Sequence, residues 1–282
     1  MYLGYWRLQE EPFCNALDER FFFRTPQHDE AIARMMYAVR QRKNGTILTG
    51  GYGSGKSLVR RIFLQRLSQV GSFSLAQVDN PLLSAAALLQ DIAMQLGGRS
   101  DVAAEGGDAF RRIEATLRAR QREGGHGIVL IEEAQLLADL ERLEQLRLLM
   151  NLEGDHGRPL LTVVLVGALE LMQHVSQSPS LQQRVSGCWV LEPLAHEQVR
   201  EYVNYRLRVA GGNGWIFEDG AVDALFSYSK GIPRSMNQAA DLALYLGMAE
   251  SAVRIDAEIV RRVIADLQRT ASVWQEGENA CT

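Results

Sequence analysis

The chain has 282 residues, a formal net charge of −4, 46% hydrophobic residues and 23% charged ones. This composition argues against a disordered, collagen-like or disulfide-stapled chain. Its mild acidity argues against coating nucleic acid through net charge, leaving only a local basic patch for that role. Of the 30 basic residues three are lysines, Lys43, Lys56 and Lys230. A preference for arginine codons accounts for the bias, so position decides whether any of the three matters. Cys14, Cys188 and Cys281 are far apart and have no metal-ligand spacing, which fits a reducing compartment. The start, MYLGYWRLQEEPF, lacks the order of a secretory signal. No apolar run approaches the roughly 18 residues that span a bilayer. The expectation is a cytoplasmic protein with no membrane span of its own.

Residues 1–27 are aromatic-rich, with turn signals at Glu11-Pro12 and Thr25-Pro26, and read as irregular. From His28 to Arg42, Ile32, Met35, Met36 and Val39 recur at helical spacing. Asn44-Gly45 ends that helix, and Thr46–Thr49 is a short buried strand. A glycine-rich loop follows, then a helix carrying Leu58, Ile62 and Leu67. Ser72–Val78 predicts a second strand, and 82–96 and 109–122 predict helices flanking a Gly/Asp-rich loop at 97–108. Gly127–Ile131 is an apolar run bounded by Gly124-Gly125 and Glu132-Glu133, hence a buried strand. Leu140–Leu152 is helical by period, and Leu160–Val166 and Cys188–Leu191 are further strands. Five strands alternating with helices predict an α/β fold with a five-stranded, mostly parallel sheet covered on both faces. After Pro193 only helical periods remain, at 195–210, 219–229, 235–249 and 256–270. The expected organisation is an α/β domain at 1–194, a helical domain at 195–270 and a flexible tail at 271–282.

Gly50-Gly51-Tyr52-Gly53-Ser54-Gly55-Lys56-Ser57 fits G-x-x-x-x-G-K-[ST] and sits between a predicted strand and a predicted helix. The glycines allow the backbone angles that turn successive amides toward phosphate oxygens. The next helix presents its positive N-terminal end, beginning at Ser57 and Leu58, to the same anion. Lys56 is the candidate for the β/γ-phosphates, and the Ser57 hydroxyl for Mg²⁺. The bland alternative is a glycine-rich turn. It does not account for the strand and helix on either side.

Ile128–Ile131 then delivers Glu132 and Glu133 to the C-terminal end of a buried strand, where nucleotide-binding sheets hold their ligands. In the usual form an aspartate precedes a glutamate: the first holds the metal's water shell and the second polarises the attacking water. Glu132 departs from that form by one methylene. Alone, the pair would read as solvated acids at a strand end. Beside a phosphate loop it reads as the hydrolytic pair.

These residues, with several further stretches, resemble the AAA+ ATPases of the general-secretion-pathway protein A family. The stretches are Tyr2…Leu8…Pro12-Phe13, Phe22-Phe23 with His28-x-Glu30-Ala31, and Glu133-Ala134-Gln135 with Leu146–Glu153. Val164–Leu171 and Gly231-Ile232-Pro233-Arg234-Ser235-Met236-Asn237 complete the set, in family order over residues 1–270. The resemblance implies an AAA+ P-loop NTPase of the ASCE type whose helical domain is a lid. It also implies ATP and Mg²⁺ as ligands, and a homo-oligomer, ring or filament, with sites between subunits. Arg234 stands at the sensor position that contacts the γ-phosphate from the lid, and a solvent-facing helix-start arginine is its alternative. Arg184 matches a family Gln-Arg pair that acts on a neighbouring subunit's nucleotide, although with 27 arginines in the chain a surface role stands beside it. Residues 1–27 are implied to lie on the adenine side, with Tyr2, Pro12 and Phe13 either bordering the base or packing. Ala168 stands where relatives carry a polar sensor. With Glu132, it implies slow hydrolysis.

The implied function is a cytoplasmic motor or assembly factor for an envelope machine such as a secretion, pilus or polysaccharide-export system. Longer relatives add a transmembrane helix and a periplasmic peptidoglycan-binding domain that this sequence does not contain. Contact with the inner membrane is therefore expected through a protein partner. Two alternatives stay open. One is a DNA-associated ATPase resembling transposition regulators, using Arg60-Arg61, Arg111-Arg112 and Arg261-Arg262. The other is a nucleotide-switched scaffold with little hydrolysis.

Overall fold

The computed structural model describes residues 1–97 and 106–280. The chain begins with α1 (Tyr2–Trp6) and a 3₁₀ turn (Glu19–Phe21), followed by α2 (Pro26–Arg40), β1 (Gly45–Gly50), α3 (Lys56–Ser68) and β2 (Phe73–Val78). Next come α4 (Ala85–Gln95), α5 (Gly106–Arg122), β3 (His126–Ile131), a 3₁₀ turn (Ala134–Leu136), α6 (Leu140–Met150) and a further 3₁₀ turn (Asp155–Gly157). β4 (Leu161–Gly167), α7 (Glu170–Ser176), α8 (Pro179–Gln182) and β5 (Val185–Leu191) complete the sheet. The helices α9 (His196–Val209), α10 (Asp219–Ser229), α11 (Pro233–Ala249) and α12 (Ala257–Ala280) follow. All five expected strands form. Of the loop expected at 97–108, residues 98–105 lie outside the described ones, and α5 takes up the rest from Gly106.

The chain divides into two compact units. The α/β unit comprises Thr25–Tyr52 and Lys56–Leu191. Its sheet has the order β2-β3-β4-β1-β5 with every neighbouring pair parallel. Strand alternation sorts the apolar runs cleanly. Ile47, Val129, Ile131, Val163 and Leu165 join a core with Leu88 and Ile92 of α4, Ile113 and Leu117 of α5, and Leu146 of α6. Leu48, Ile128, Leu130, Val164 and Val166 are equally buried but lie outside that cluster, on the other side of the pleat. Both faces are therefore covered, which is why these strands read as continuous apolar runs. Caps set the helix starts: Thr25 and His28 form a capping box before Pro26, and the Asp139 carboxylate accepts from the Arg142 N–H at 2.8 Å.

The helical unit comprises Met1–Arg24, Gly53–Gly55 and Glu192–Thr282. The first 24 residues thus pack with the helices, whereas the sequence reading groups them with the α/β domain. The reason is apolar burial. Tyr2, Trp6, Leu8, Phe13 and Phe21 join Val199, Val203, Leu207, Leu225, Ala240 and Leu244 in one core. The stretch read as irregular contains α1, whose five residues are too short to show a period. Polar groups fasten the segment. Trp6 Nε1 donates to the Leu244 carbonyl at 2.8 Å. Arg206 donates to the carbonyls of Pro12 at 2.5 Å and Cys14 at 2.7 Å. Tyr202 donates to Asn237, which donates in turn to Asn15. The tail read as flexible from 271 continues α12 to Ala280. It carries no proline to stop a helix already under way.

Candidate nucleotide site

The phosphate loop leaves the carboxyl end of β1 and enters α3, as its mechanism requires. Gly53 (φ 79°) and Gly55 (φ 102°) take the left-handed region, where a side chain would be strained. A Cβ on Gly51 would meet no atom within 4 Å, so the loop opens onto free space there. Lys56 Nζ donates to the carbonyls of Gly50 at 2.8 Å and Gly51 at 2.9 Å, which holds the ammonium at the base of the loop. It also lies 5.9 Å from the centre of the exposed Tyr52 ring. Ser54 Oγ is buried without a hydrogen-bond partner. An unsatisfied buried hydroxyl in an amide-lined loop is a fitting neighbour for a phosphate oxygen. Ser57 and Leu58 occupy the second and third positions of α3.

Glu132 and Glu133 follow the last residue of β3, but their surroundings differ. Glu132 forms an ion pair with Arg60 of α3. The same guanidinium lies 3.4 Å from Gln77 Oε1 and 3.9 Å from Asp79. Burial pushes the Glu132 carboxyl above the usual carboxylate range; Arg60 opposes the shift, and Asp79 and Glu133 reinforce it. The first carboxylate thus has a resident cation, a partner the sequence reading did not identify. Glu133 sits at φ 46°, ψ 39°, an uncommon conformation for a residue with a side chain. Its carboxylate accepts from Gln135 Nε2 at 2.7 Å. The Ala168 N–H donates to Gln135 Oε1 at 2.9 Å, and Thr49 Oγ1 donates to the Ala168 carbonyl at 2.8 Å.

Arg234 begins α11 in the helical unit, and its backbone N–H meets the Gly53 carbonyl at 3.4 Å. A Cβ on Gly53 would come within 2.6 Å of Arg234 Cβ, so glycine permits this close approach. Arg184 is tied within the α/β unit, donating to Asn151 Oδ1 and, at 2.6 Å, to the Ser180 carbonyl. Tyr2, Pro12 and Phe13 are buried in the helical unit, where Phe13 packs edge-on against Phe217. The structure brings Glu133, Gln135 and Ala168 together. Gln135 belongs to the stretch Glu133-Ala134-Gln135 that follows β3, but nothing in its spacing signals the Ala168 contact.

Residues 39–174 match a family model described as an AAA domain. The chain is 35% identical, over 98% of its own length, to general secretion pathway protein A of Aeromonas hydrophila, and it spans about half (51%) of that relative. Among solved structures, Aeropyrum pernix ORC1 in complex with DNA aligns with TM-score 0.66 at 18% identity, over 93% of this chain and 70% of that one. Aeropyrum pernix ORC2 aligns with TM-score 0.66 at 14% identity, over 92% and 71%. Thermotoga maritima RuvB aligns with TM-score 0.56 at 18% identity, over 92% and 74%. At these identities the structural likeness speaks for the fold. The phosphate loop, the parallel sheet and these matches define an AAA+ P-loop ATPase.

Within that class the chain belongs with the general secretion pathway protein A family. The family implies nucleotide binding. No helix among the described residues is long and apolar enough to cross a membrane.

Proposed function

We propose that this chain binds ATP and hydrolyses it slowly, as an oligomeric motor or assembly factor for a bacterial envelope machine. The observation that carries the reading is Lys56, held at 2.8 and 2.9 Å by the carbonyls of its own loop, next to open space on the loop's outer side. Gly50 to Ser57 bind the triphosphate through backbone amides, and Lys56 neutralises the β/γ oxygens. Mg²⁺, when bound, offsets phosphate charge, with the Ser57 hydroxyl as its direct ligand. Glu132 acts on it only through water, since Arg60 already holds that carboxylate. Glu133 accepts a proton from the attacking water, and Arg234 contacts the γ-phosphate.

Two features support slow turnover. Glu132 is committed to Arg60, and Ala168 offers no polar side chain. Arg184, fixed by Asn151 and Ser180, is assigned to a neighbouring subunit's nucleotide, so the rate per subunit rises with protein concentration. Association with the inner membrane is assigned to a protein partner. For the DNA alternative, Arg60, Arg261 and Arg262 are engaged by Glu132, Glu258 and Glu250, so no separate observation favours it.

The test is phosphate release measured against protein concentration, for wild type and Glu133→Gln. The expected result is a slow, concentration-dependent rate that Glu133→Gln abolishes while ATP stays bound. Fast turnover by dilute protein would overturn slow, assembly-dependent hydrolysis. An unchanged Glu133→Gln rate would overturn the hydrolytic reading.

A further inference from the structure

Position 168 directly follows β4 beside the acidic pair but carries only a methyl group, so any polar group offered there belongs to the backbone. Both backbone groups of Ala168 are taken by side chains. Its N–H donates to Gln135 Oε1 at 2.9 Å, and its carbonyl accepts from Thr49 Oγ1 at 2.8 Å. Thr49 and Gln135 are buried and belong to the same unit. Thr49 is the residue just before Gly50, where β1 passes into the phosphate loop. Gln135 uses its other end on Glu133, at 2.7 Å. A primary amide suits this place because it accepts at one end and donates at the other. Here the backbone N–H of Ala168 requires an acceptor, and the Glu133 carboxylate requires a donor.

Two features specialise the place for that amide. Gly167 precedes Ala168, and a Cβ there would lie 2.8 Å from Gln135 Oε1, so glycine leaves room for the amide. Glu133 stands in the left-handed backbone region, a conformation that persists where its surroundings over-determine it.

We propose that Gln135 is a positioning residue for ATP hydrolysis. Its amide holds the Glu133 carboxylate against the backbone of Ala168, which takes the place of the missing polar side chain. Thr49 extends the same chain of hydrogen bonds to the base of the phosphate loop. The inference rests on the reading of Glu133 as the group that polarises water. Misplacing a reacting group by about 1 Å costs on the order of a hundredfold in rate, and loss of the amide releases Glu133 without touching the phosphate loop.

The experiment compares wild type, Gln135→Met, Gln135→Asn and Glu133→Gln as full chains. It measures kcat, KM and equilibrium ATP affinity. Methionine keeps the volume and loses the amide; asparagine keeps the amide on a chain too short to span both partners. The expected result is a kcat lowered about ten- to a hundredfold in both Gln135 variants, with ATP affinity unchanged within about twofold. A packing role alone would leave kcat of the volume-matched variant intact.

Should Gln135→Met fail to fold, Gly167→Ala supplies the same reading by displacing the amide: a fall in kcat at unchanged affinity supports the proposal, and an unchanged kcat overturns it. If Glu133→Gln abolishes turnover while the Gln135 variants match wild type, the positioning role fails and the hydrolytic reading stands. If Glu133→Gln turns over normally, the hydrolytic reading fails and this proposal falls with it.

Discussion

At the carboxyl ends of β1, β3 and β4 polar side chains meet one another and the backbone of the strand ends: Lys56 on its loop carbonyls, Arg60 on Glu132, Gln135 between Glu133 and Ala168. In the helical unit the buried polar side chains tie the N-terminal segment to the helices instead: Trp6 on the Leu244 carbonyl, Arg206 on the carbonyls of Pro12 and Cys14. In the first region continuous apolar strands and their covering helices already make a core, so polar groups at the strand ends are released from structural work. In the second, an aromatic segment with little regular structure must be tied to four helices, and polar groups do the tying. The contrast predicts that substitutions at the strand ends change chemistry at nearly constant stability. Those in the helical unit change stability first.

The largest effect expected is at Lys56. Arginine keeps the charge but replaces a compact ammonium with a planar fork. Lys56→Arg is expected to lower turnover more than about a hundredfold with the nucleotide-free melting temperature nearly unchanged. Parallel ATPase and thermal-melt measurements check it, and a large loss of stability would break the contrast at its strongest point. Next is Arg206→Ala. It removes a buried guanidinium that satisfies two carbonyls and lies 4.7 Å from the Phe21 ring centre. The expected cost is about 3 kcal/mol, read by denaturant unfolding.

Acidification sharpens the comparison inside the α/β unit. His28 at the start of α2 and His126 at the start of β3 lie away from the strand ends that carry the site. Burial lowers both to about 4. His126 Nε2 pairs with Thr162 Oγ1 at 2.9 Å, and His28 Nδ1 accepts from the Thr25 N–H at 3.2 Å. Between the ordinary histidine value near 6.5 and about 4, the unfolded chain binds more protons than the folded one. Stability therefore falls as pH drops through that window and levels off below it. The limit is about 3 kcal/mol for each histidine. Urea titrations from pH 7 to pH 4 check the sign, and replacing His126 with Asn should remove part of the slope. The smallest effect expected is Trp6→Phe, which deletes one buried donor and its bond to the Leu244 carbonyl, for about 1–2 kcal/mol. Its ATPase rate should match wild type at temperatures where it stays folded.

Much of the α/β fold was legible beforehand because its strands are buried on both faces. Ile128–Ile131 and Leu161–Val166 stand out as apolar runs whatever they pack against. The loop was legible for a different reason: Gly50–Ser57 acts largely through its own backbone, so its pattern lies in consecutive residues. Residues 1–24 were misgrouped because aromatic burial carries no address. Tyr2 and Phe13 are apolar in sequence, but which core receives them depends on contacts with residues more than a hundred positions away. The continuation of α12 past 270 was missed because its polar sequence shows little period, and helix propagation from an established turn needs none.

The amino-acid sequence by itself determined the class of this protein: a phosphate loop between strand and helix, an acidic pair closing a buried strand, and helices alone after Pro193. Those features are local, set by backbone angles and the order of apolar runs. Only the tertiary structure decided how the two carboxylates differ, with Glu132 on Arg60 and Glu133 on Gln135 and, through it, Ala168. It also decided that the N-terminal aromatics belong to the helical core. The pairings of Arg60 with Glu132 and of Gln135 with Ala168 join residues far apart in the chain. The energy that selects them comes from burying and satisfying polar groups together, which appears only once the chain has folded.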